Sequence, residues 1–451
     1  MSRRGHRAVV CGASMAGLLT ARVLAEFYEH VTLVERDVFP EKVIQRKGVP
    51  QGRHLHQLLN RGSTVLSELF PGLFDDLVAA GAHIVDDPSL AYAHIGDHAL
   101  AQHGQFINRE AMVAYTVSRP LLEARVRRRV QAIENVTSLE GHDVVEPILG
   151  PDDRVMAVRL VSRETKQEQV LDADLVVDAT GRAGRTPAFL RAHGFESPAE
   201  QSYSVNLRYC SQFFRVPHGL LTEKVALVAP TLQSSTGAGF LAYEDDTAVL
   251  TLIGIAGHRP PEGLPGLLSS AAELLPARFV AALRAAEPIG EMSAQQYPAS
   301  VWRRYDKLRH FPRGLLVLGD AFCSFNPVYG QGMTSAAFQA KALRRCLAQS
   351  NDDDLSRRYF RAAARSLTQI WQANRFNDFM VLPADDWRLI PKRLLNWGTN
   401  RMAAAATEDI VVAETFMRLV QLHDGPTRLL RPALLIRIIK GNLRRISTST
   451  R

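Results

Sequence analysis

The chain has 451 residues, of which 46% are apolar and 22% are charged. This balance is typical of a soluble globular protein and excludes fibrous and disordered classes. The formal net charge of +8 suits anionic partners, but a large share of it lies in the C-terminal tail. We therefore interpret it as a solvated basic surface and expect no nucleic-acid partner.

Cysteine usage and the N-terminus bear on location. Four cysteines are scattered along the chain: Cys11, Cys210, Cys323 and Cys346. They form no CxxC pair and have no histidine at ligand spacing, so we expect no disulfide framework, no metal site and a cytoplasmic location. The N-terminal twin arginines and apolar run imitate a leader peptide, but glycines punctuate the run and a second strand pattern follows it. No apolar stretch reaches the length of a membrane span.

Residues 7–35 predict a strand, a turn, a helix and a second strand. Gly12 permits a tight bend and Gly17 lets the helix pack closely on the strand, so free N–H groups at the helix start face a pyrophosphate. Glu35 lies 23 residues after Gly12, where a carboxylate accepts hydrogen bonds from an adenosine ribose. Ser14 replaces the middle glycine of the usual pattern. The unit predicts a bound dinucleotide, either NAD or FAD, rather than a helix start without a ligand.

Two later segments also join a buried strand to a glycine-bearing turn. In "DADLVVDATGRAGRTPAFL" (172–190) the turn is Thr180-Gly181, and in 314–343 it is Gly319-Asp320, followed by "FNPVYGQGMTSA" and a helix. A helix beginning near Gly332 directs unpaired N–H groups and the positive end of its dipole at whatever precedes it. We interpret this as a pocket in which main-chain donors hold a flat ring that accumulates negative charge; the alternative is a purely structural turn.

Between these segments, residues 201–297 alternate as in antiparallel strands, with a hairpin around 244–246. A sheet inserted between nucleotide-binding segments predicts a second domain, with the substrate at the junction. Its pocket candidates are aromatic, although strand aromatics more often belong to the core. These candidates are Tyr209, Phe213, Phe240 and Tyr243.

The segment after about residue 350 is mostly helical by pattern. Its end, "GPTRLLRPALLIRIIKGNLRRISTSTR", mixes basic and apolar residues and contains no acid. A basic amphipathic helix of this kind can make peripheral contact with an anionic membrane or dock a carrier protein. More often such a helix packs its apolar face on its own protein.

Together the three glycine signatures resemble those of the group A flavoprotein monooxygenases of the p-hydroxybenzoate hydroxylase fold, which carry an N-terminal FAD fingerprint, a central DG motif and a late GD motif. The resemblance covers about residues 7–347. The stretch "RKGVPQGRHLHQLLNRG" (46–62) is similar to the actinobacterial branch of natural-product epoxidases and hydroxylases, which includes the polyether epoxidases.

The resemblance implies an α/β fold with three parts. A Rossmann-like FAD-binding domain is formed by residues 1–200 and 301–350, an antiparallel-sheet substrate domain (201–300) is inserted in it, and a helical segment (351–451) follows. His54 and His56 alternate on one side of an extended segment; since a third metal ligand is missing, we expect them to pair with backbone or flavin polar groups.

The resemblance also implies cofactor contacts. Asp320 would hydrogen-bond the ribityl or pyrophosphate part of FAD, Arg119 would lie near the phosphates, and the backbone of Val144 or Val145 would contact the adenine. The isoalloxazine would be lined by Pro327, Gly330, Gln331, Gly332 and Met333. The other expected cofactor contacts are Gly12, Ser14, Met15, Ala16, Gly17, Glu35, Arg36, Arg53, Ala179, Thr180, Gly181 and Gly319. Thr180 stands where the DG motif has its aspartate, which leaves the route of electron supply open.

The implied function is an FAD-dependent monooxygenase. It would use NAD(P)H and O₂, through a flavin C4a-hydroperoxide, to epoxidise or hydroxylate a lipophilic secondary metabolite such as a polyene, polyketide or terpene. The cofactor does this chemistry, so we assign no catalytic side chain; a separate flavin reductase or a carrier protein is a further candidate partner. The alternatives are a reductase or dehydrogenase, a non-catalytic flavoprotein, and a halogenase. Flavin halogenases carry a WxWxIP motif, and the most similar stretch of this chain, "VWRRYDKL", does not match it.

Overall fold

The computed structural model describes residues 3–231, 234–349, 354–381 and 389–449. For residues 389–392, 426 and 445–449 it describes the backbone only. Parts of the predicted domains therefore lie outside the described residues: 1–2, 232–233, 350–353, 382–388 and 450–451.

The described chain contains 18 strands and 13 α-helices. The strands are β1 (Gly5–Cys11), β2 (Tyr28–Val34), β3 (His83–Val85), β4 (Ala91–Ile95), β5 (His98–Ala99), β6 (Ala114–Thr116), β7 (Val136–Leu139), β8 (His142–Leu149), β9 (Val155–Ser162), β10 (Glu168–Asp172), β11 (Leu175–Asp178), β12 (Glu200–Arg215), β13 (Val225–Val228), β14 (Thr236–Ala242), β15 (Thr247–Gly254), β16 (Glu287–Arg303), β17 (Leu315–Val317) and β18 (Cys323–Ser324). The helices are α1 (Met15–Leu24), α2 (Asn60–Leu69), α3 (Leu73–Ala79), α4 (Arg109–Met112), α5 (Arg119–Gln131), α6 (Thr186–Ala192), α7 (Leu264–Leu274), α8 (Ala277–Ala285), α9 (Gly332–Leu347), α10 (Leu355–Val381), α11 (Leu389–Ala405), α12 (Ile410–Val420) and α13 (Pro432–Ser449).

Five parallel strands form the first sheet, in the order β17-β11-β1-β2-β7. Strands β11 and β17 are buried along their whole length, as expected for parallel strands that are covered on both faces. Cys11 pairs with Asp178, and Asp178 pairs with Val317, so β1, β11 and β17 end side by side at one edge. The α/β fold class predicted from the sequence is confirmed.

Helix α1 is shorter than its sequence pattern indicates. It ends at Leu24, although the apolar periodicity continues to about residue 30. Tyr28 and His30 instead pair with Gly5 and Arg7 of β1. Pairing with a neighbouring strand therefore overrides the local helical pattern.

The second large sheet has eight strands, in the order β18-β16-β12-β15-β14-β13-β4-β5. Its pairs are antiparallel except for β13–β4. The β14–β15 hairpin turns at Asp245 and Asp246, both at positive φ. Strands β4 and β5 belong to this sheet although residues 91–99 were predicted as part of the FAD-binding domain. The pairing of β4 with β13 is long-range and leaves no local signal in the sequence.

The two faces of this sheet have different neighbours. Phe240 packs with Phe279 under α7 and α8, in a cluster that also contains Phe214. Tyr209 and Tyr243 lie on the opposite face, in separate apolar clusters. The alternation of side chains along a strand thus removes Phe240 from the predicted pocket lining.

Helices α9 and α10 pack against each other, and α11, α12 and α13 build a small core of their own against the edge of the eight-stranded sheet. In that core Met402, Val412 and Leu434 meet Leu100, and Ala101 N–H donates to the carbonyl of Ala406 at 2.9 Å. Within the described ranges, no helix combines the length and apolar character required to cross a membrane.

Candidate functional site

The three glycine signatures meet at the carboxyl edge of the parallel sheet. Gly12 has φ +101°, and a Cβ there would lie 2.6 Å from the carbonyl oxygen of Ala179. Gly319 has φ +73°, and its Cβ would lie 2.7 Å from Ala16 Cβ. A Cβ on Gly17 would meet the Gly12 carbonyl at 1.7 Å, so α1 packs directly on the turn. These contacts require glycine, and they join segments that are far apart in the sequence.

Arg119 lies beside the turn that precedes α1. Its Nη2 donates to Ser14 Oγ at 2.8 Å, and its Nε donates to Glu123 Oε2 at 3.1 Å. The other oxygen of Glu123 accepts from Arg46 Nε at 2.8 Å. Neither Arg46 nor Glu123 was a predicted site residue, and no local pattern links two residues 77 positions apart.

Glu35 and Arg46 hold the turn from its other side. Glu35 Oε2 accepts from the N–H of Ala13 at 2.8 Å and lies 3.3 Å from Arg46 Nη1. Arg46 Nη2 donates to the carbonyl of Ala13 at 3.1 Å. Burial disfavours the charged guanidinium, but Glu123 and Glu35 outweigh burial and raise the pKa of Arg46. Both main-chain polar groups of Ala13 are therefore held by a buried charge network.

Asp320 lies in the short turn that follows β17. The N–H of Gly319 donates to Gln339 Oε1 at 2.8 Å, which ties this turn to α9. Burial raises the pKa of the Asp320 carboxyl, and the nearby Arg182 and Arg119 guanidiniums partly offset that rise. Arg182, which the sequence analysis did not select, also lies over the ring of Tyr297 at 4.3 Å from its centroid.

Thr180 replaces the DG aspartate, and the carboxylate of this turn comes from Asp178. Thr180 N–H and Oγ1 donate to Asp178 Oδ1 at 3.0 and 2.6 Å, and Thr186 Oγ1 donates to Oδ2. Asp178 therefore shapes the turn, while Thr180 itself is exposed.

The late loop, residues 325–331, leads into α9, whose first main-chain N–H groups are free hydrogen-bond donors. Pro327 begins a 3₁₀ turn, Gly330 follows at φ +64°, and α9 begins at Gly332. The first main-chain bond of α9 runs from Ser335 N–H to the Gln331 carbonyl at 2.8 Å, so the N–H groups of the first three helical residues precede it. A Cβ on Gly332 would meet no atom within 4 Å, so this side of the helix start is open.

Comparison with known proteins agrees with this geometry. No family model matches the chain. Protein Rv3254 of Mycobacterium tuberculosis is 42% identical over 448 residues, covering 97% of this chain and 94% of that protein, so the two belong to one family. Kynurenine 3-monooxygenase of Salinispora arenicola is 24% identical over 389 residues, covering 82% and 78%.

The fold has clear counterparts among solved structures. p-Nitrophenol 4-monooxygenase PnpA from Pseudomonas putida aligns with a TM-score of 0.64 at 16% identity, covering 94% of this chain and all of PnpA. The flavin-dependent halogenase CmlS aligns with a TM-score of 0.65 at 18% identity, covering 94% and 77%. The chain therefore belongs to one family with Rv3254 and has the fold of these FAD-dependent monooxygenases and halogenases.

The residues along this edge of the sheet fit FAD. Two helix starts supply N–H donors for anionic groups. One is the start of α1 at the turn 12–14, which we call the phosphate turn, and the other is the start of α9 at the late loop. Arg119 supplies a guanidinium beside Ser14. A Cβ on Gly181, like one on Gly332, would meet no atom within 4 Å. Donors, charge and open backbone thus coincide along one edge of the sheet.

Helix α10 anchors the late loop. Asn326 Nδ2 and Tyr329 Oη donate to Asp378 Oδ1 at 2.8 and 2.7 Å, and Asn374 donates to the side chain of Gln331. Asp378 is 2% exposed. Burial raises the pKa of its carboxyl, although the bonds from Tyr329 and Asn326 partly oppose that rise. Asp378 and Asn374 were not predicted from the sequence, since a long helix carries no local sign of its partners.

The two histidines lie where the 46–62 segment crosses the eight-stranded sheet. His54 Nδ1 is 2.9 Å from Ser211 Oγ, and His56 Nδ1 is 3.1 Å from the carbonyl oxygen of His54. Burial lowers both pKa values to about 4, with further lowering from Arg53 at His54 and from Arg119 at His56. Both rings are therefore neutral at pH 7.

The remaining predicted contacts are placed less centrally. Arg36 and Arg53 are exposed, and Arg36 Nε lies 3.6 Å from Asp143 Oδ1. Val144 and Val145 lie on β8, in the three-stranded sheet. Four further residues fall on or beside the helix starts: Met15 and Met333, both buried, Gln331, also buried, and the exposed Pro327.

Proposed function

We propose that this protein is an FAD-dependent monooxygenase that takes electrons from NAD(P)H and transfers one oxygen atom of O₂ to a lipophilic small molecule, by epoxidation or hydroxylation. The observation that carries the proposal is the convergence of the phosphate turn, the Thr180-Gly181 turn and the open start of α9 at one sheet edge. When bound, FAD supplies hydride acceptance and activation of O₂.

The chain's own residues supply binding and electrostatics. The free N–H groups and dipole of α9 stabilise negative charge in front of Gly332. Arg119 donates to Ser14 at 2.8 Å, a pairing of guanidinium and hydroxyl that suits phosphate oxygens, and the positive charges of Arg182 and Arg119 act on the Asp320 carboxyl at the end of β17. The Asp378 anchor keeps the late loop in register with the sheet.

An apolar wall next to the late loop suits a lipophilic substrate. Tyr209 and Tyr297 are members of a buried cluster on the sheet face that α7 and α8 leave uncovered, and Val328 of the late loop packs against that cluster. The other buried members are Val205, Leu207 and Ile255. Such a wall excludes water and favours an apolar guest such as a polyene, polyketide or terpene.

The electron donor is the second part of the proposal. Asp178 is engaged by Thr180 and Thr186, so this turn differs from a DG motif with a free aspartate. We propose NAD(P)H as the direct donor, with a separate flavin reductase as the competing source. Reducing the protein chemically in parallel distinguishes a failed donor from failed oxygen chemistry.

The test measures oxygen transfer directly. The purified protein is assayed for bound FAD, then for oxidation of NADH and NADPH and for O₂ uptake with apolar alkenes and arenes, with and without bromide or chloride. We expect substrate-dependent O₂ uptake and a product that carries one oxygen from labelled O₂ and no halogen. A halogenated product, or full FAD occupancy with no oxygenated product even after chemical reduction, would overturn the proposal.

A further inference from the structure

The C-terminal helices expose an unusual amount of apolar surface. On α11, Leu394 is 68% exposed and Trp397 is 60% exposed; on α13, Ile439 and Leu443 are 59% and 60% exposed. Exposed apolar side chains are common singly, but a contiguous group on neighbouring helices marks an interaction surface. We call this group the apolar strip, and it comprises Leu394, Trp397, Leu435, Ile436, Ile439 and Leu443.

Helix α13 has two separate apolar faces. Leu434 and Ile438 pack into the core shared with α11 and α12, and Gly441 lies close against Ala405. Leu435, Ile439 and Leu443 recur every four residues on another face and remain exposed. Packing on its own protein, which the sequence pattern favoured, therefore accounts for only one of the two faces.

The exposed residues of the two helices join into one strip. Asn442 Nδ2 donates to the carbonyl of Arg401 at 2.9 Å, and Arg437, earlier on α13, pairs at 2.9 Å with Asp409, which lies just beyond the C-terminal end of α11; the two helices therefore run antiparallel. Trp397 lies one turn before Arg401, and Leu443 follows Asn442. Trp397 and Leu443 therefore lie within about one helical turn of each other along the paired axes, which places the exposed residues of α11 next to one end of those on α13.

Positive charge borders the strip. Arg431 and Lys440 are exposed and form no ion pair within the described ranges, and no acidic residue occurs from Gly425 to the end of the sequence. An anionic bilayer offers both hydrocarbon for the strip and negative charge for this border. A second copy of the chain would instead bring the same positive charge to the contact.

From this combination we propose that α11 and α13 form a docking face for an anionic phospholipid membrane. The helices lie in the plane of the interface, with the apolar strip in the acyl boundary and the basic border among the headgroups. The face belongs to the helical unit that packs against the β4–β5 edge of the eight-stranded sheet. The inference stands independently of the flavin chemistry.

The first experiment measures partition of the 451-residue chain between buffer and vesicles. Vesicles of phosphatidylcholine alone are compared with vesicles of phosphatidylcholine and phosphatidylglycerol by co-sedimentation. The test variant is Ile439→Asn with Leu443→Asn, and the control is Leu220→Asn, which changes a residue that is 47% exposed elsewhere. We expect binding to the anionic vesicles, a loss of about tenfold or more in the test variant, and no change in the control.

Two further readouts separate membrane docking from other occupants. Arg431→Gln with Lys440→Gln should weaken binding to anionic vesicles, and added salt should do the same. Trp397 should become shielded from a water-soluble quencher on binding, a change that Trp397→Phe removes. Circular dichroism and flavin content must match the unmodified chain in every variant.

Three results would overturn the inference. The first is no binding of the unmodified chain to anionic vesicles, and the second is an equal loss in the Leu220→Asn control. The third is a stable dimer in solution that the Ile439→Asn, Leu443→Asn variant dissociates, because the apolar strip would then be covered by a second copy.

Discussion

Removing Arg46 tests whether the buried charge network holds the phosphate turn. Its side chain is 4% exposed, and so is that of Glu123, while that of Glu35 is 7% exposed. Arg46→Met leaves Glu35 buried without its cation and Glu123 with Arg119 alone, so we expect the free energy of unfolding to fall by about 3–5 kcal/mol. Glu123→Gln, which leaves Arg46 paired with Glu35, should cost about 1–3 kcal/mol.

The pair is tested by a double-mutant cycle in urea, with unfolding followed by circular dichroism on the apoprotein. Because each single change removes the same contact, the double variant should lose about 2 kcal/mol less than the sum of the singles. Arg129→Met is the matched control, since its partner Asp76 is half exposed and a surface pair contributes only about 0–1 kcal/mol. Additive losses within about 0.5 kcal/mol would refute a coupled network.

The same variants should bind FAD less tightly, because Arg46 and Glu35 hold both main-chain polar groups of Ala13. We expect the Kd for FAD to rise about tenfold in Arg46→Met, as measured by titration of the apoprotein. Unchanged affinity would show that the turn keeps its shape without the network.

Three further side chains each give a prediction. Asp320→Ala should deplete bound FAD, measured as flavin absorbance per chain, and full occupancy would contradict the placement of Asp320 at the cofactor. Asp378→Ala leaves the donors of Asn326 and Tyr329 without their acceptor and should cost about 2–4 kcal/mol of stability. Burial raises the pKa of the Asp378 carboxyl, so its charged form is disfavoured on folding and stability falls as pH rises through that pKa. Asp378→Asn should lessen this fall, as measured by urea unfolding across that pH range. The pKa of His54 falls to about 4 on folding, so its contribution to stability is fully present above pH 6.5 and should decline by up to about 2 kcal/mol at pH 5. His54→Gln should reduce this difference in urea titrations at the two pH values.

Much of the site could be predicted because consecutive residues of the sequence form it. A strand, a tight turn at Gly12 and a helix opening at Met15 follow one another within a few residues, and the periodicity of each is visible in the sequence. The late loop is similar, since Gly330 comes two residues before α9 and Gly332 is the first residue of that helix. In such segments the residues that shape the backbone are also the residues predicted to contact the cofactor.

Tertiary structure alone decided which distant residues support those turns. Arg46 reaches Glu123, Asp378 reaches Asn326, and β4 joins β13 across long stretches of chain. A charged side chain in the sequence carries no sign of whether it will be buried with a partner or left in water, because that depends on packing among elements that are remote in the chain. The same holds for α13, where amphipathic periodicity predicts a helix, and only the packed helices show that one apolar face is buried while the apolar strip stays exposed.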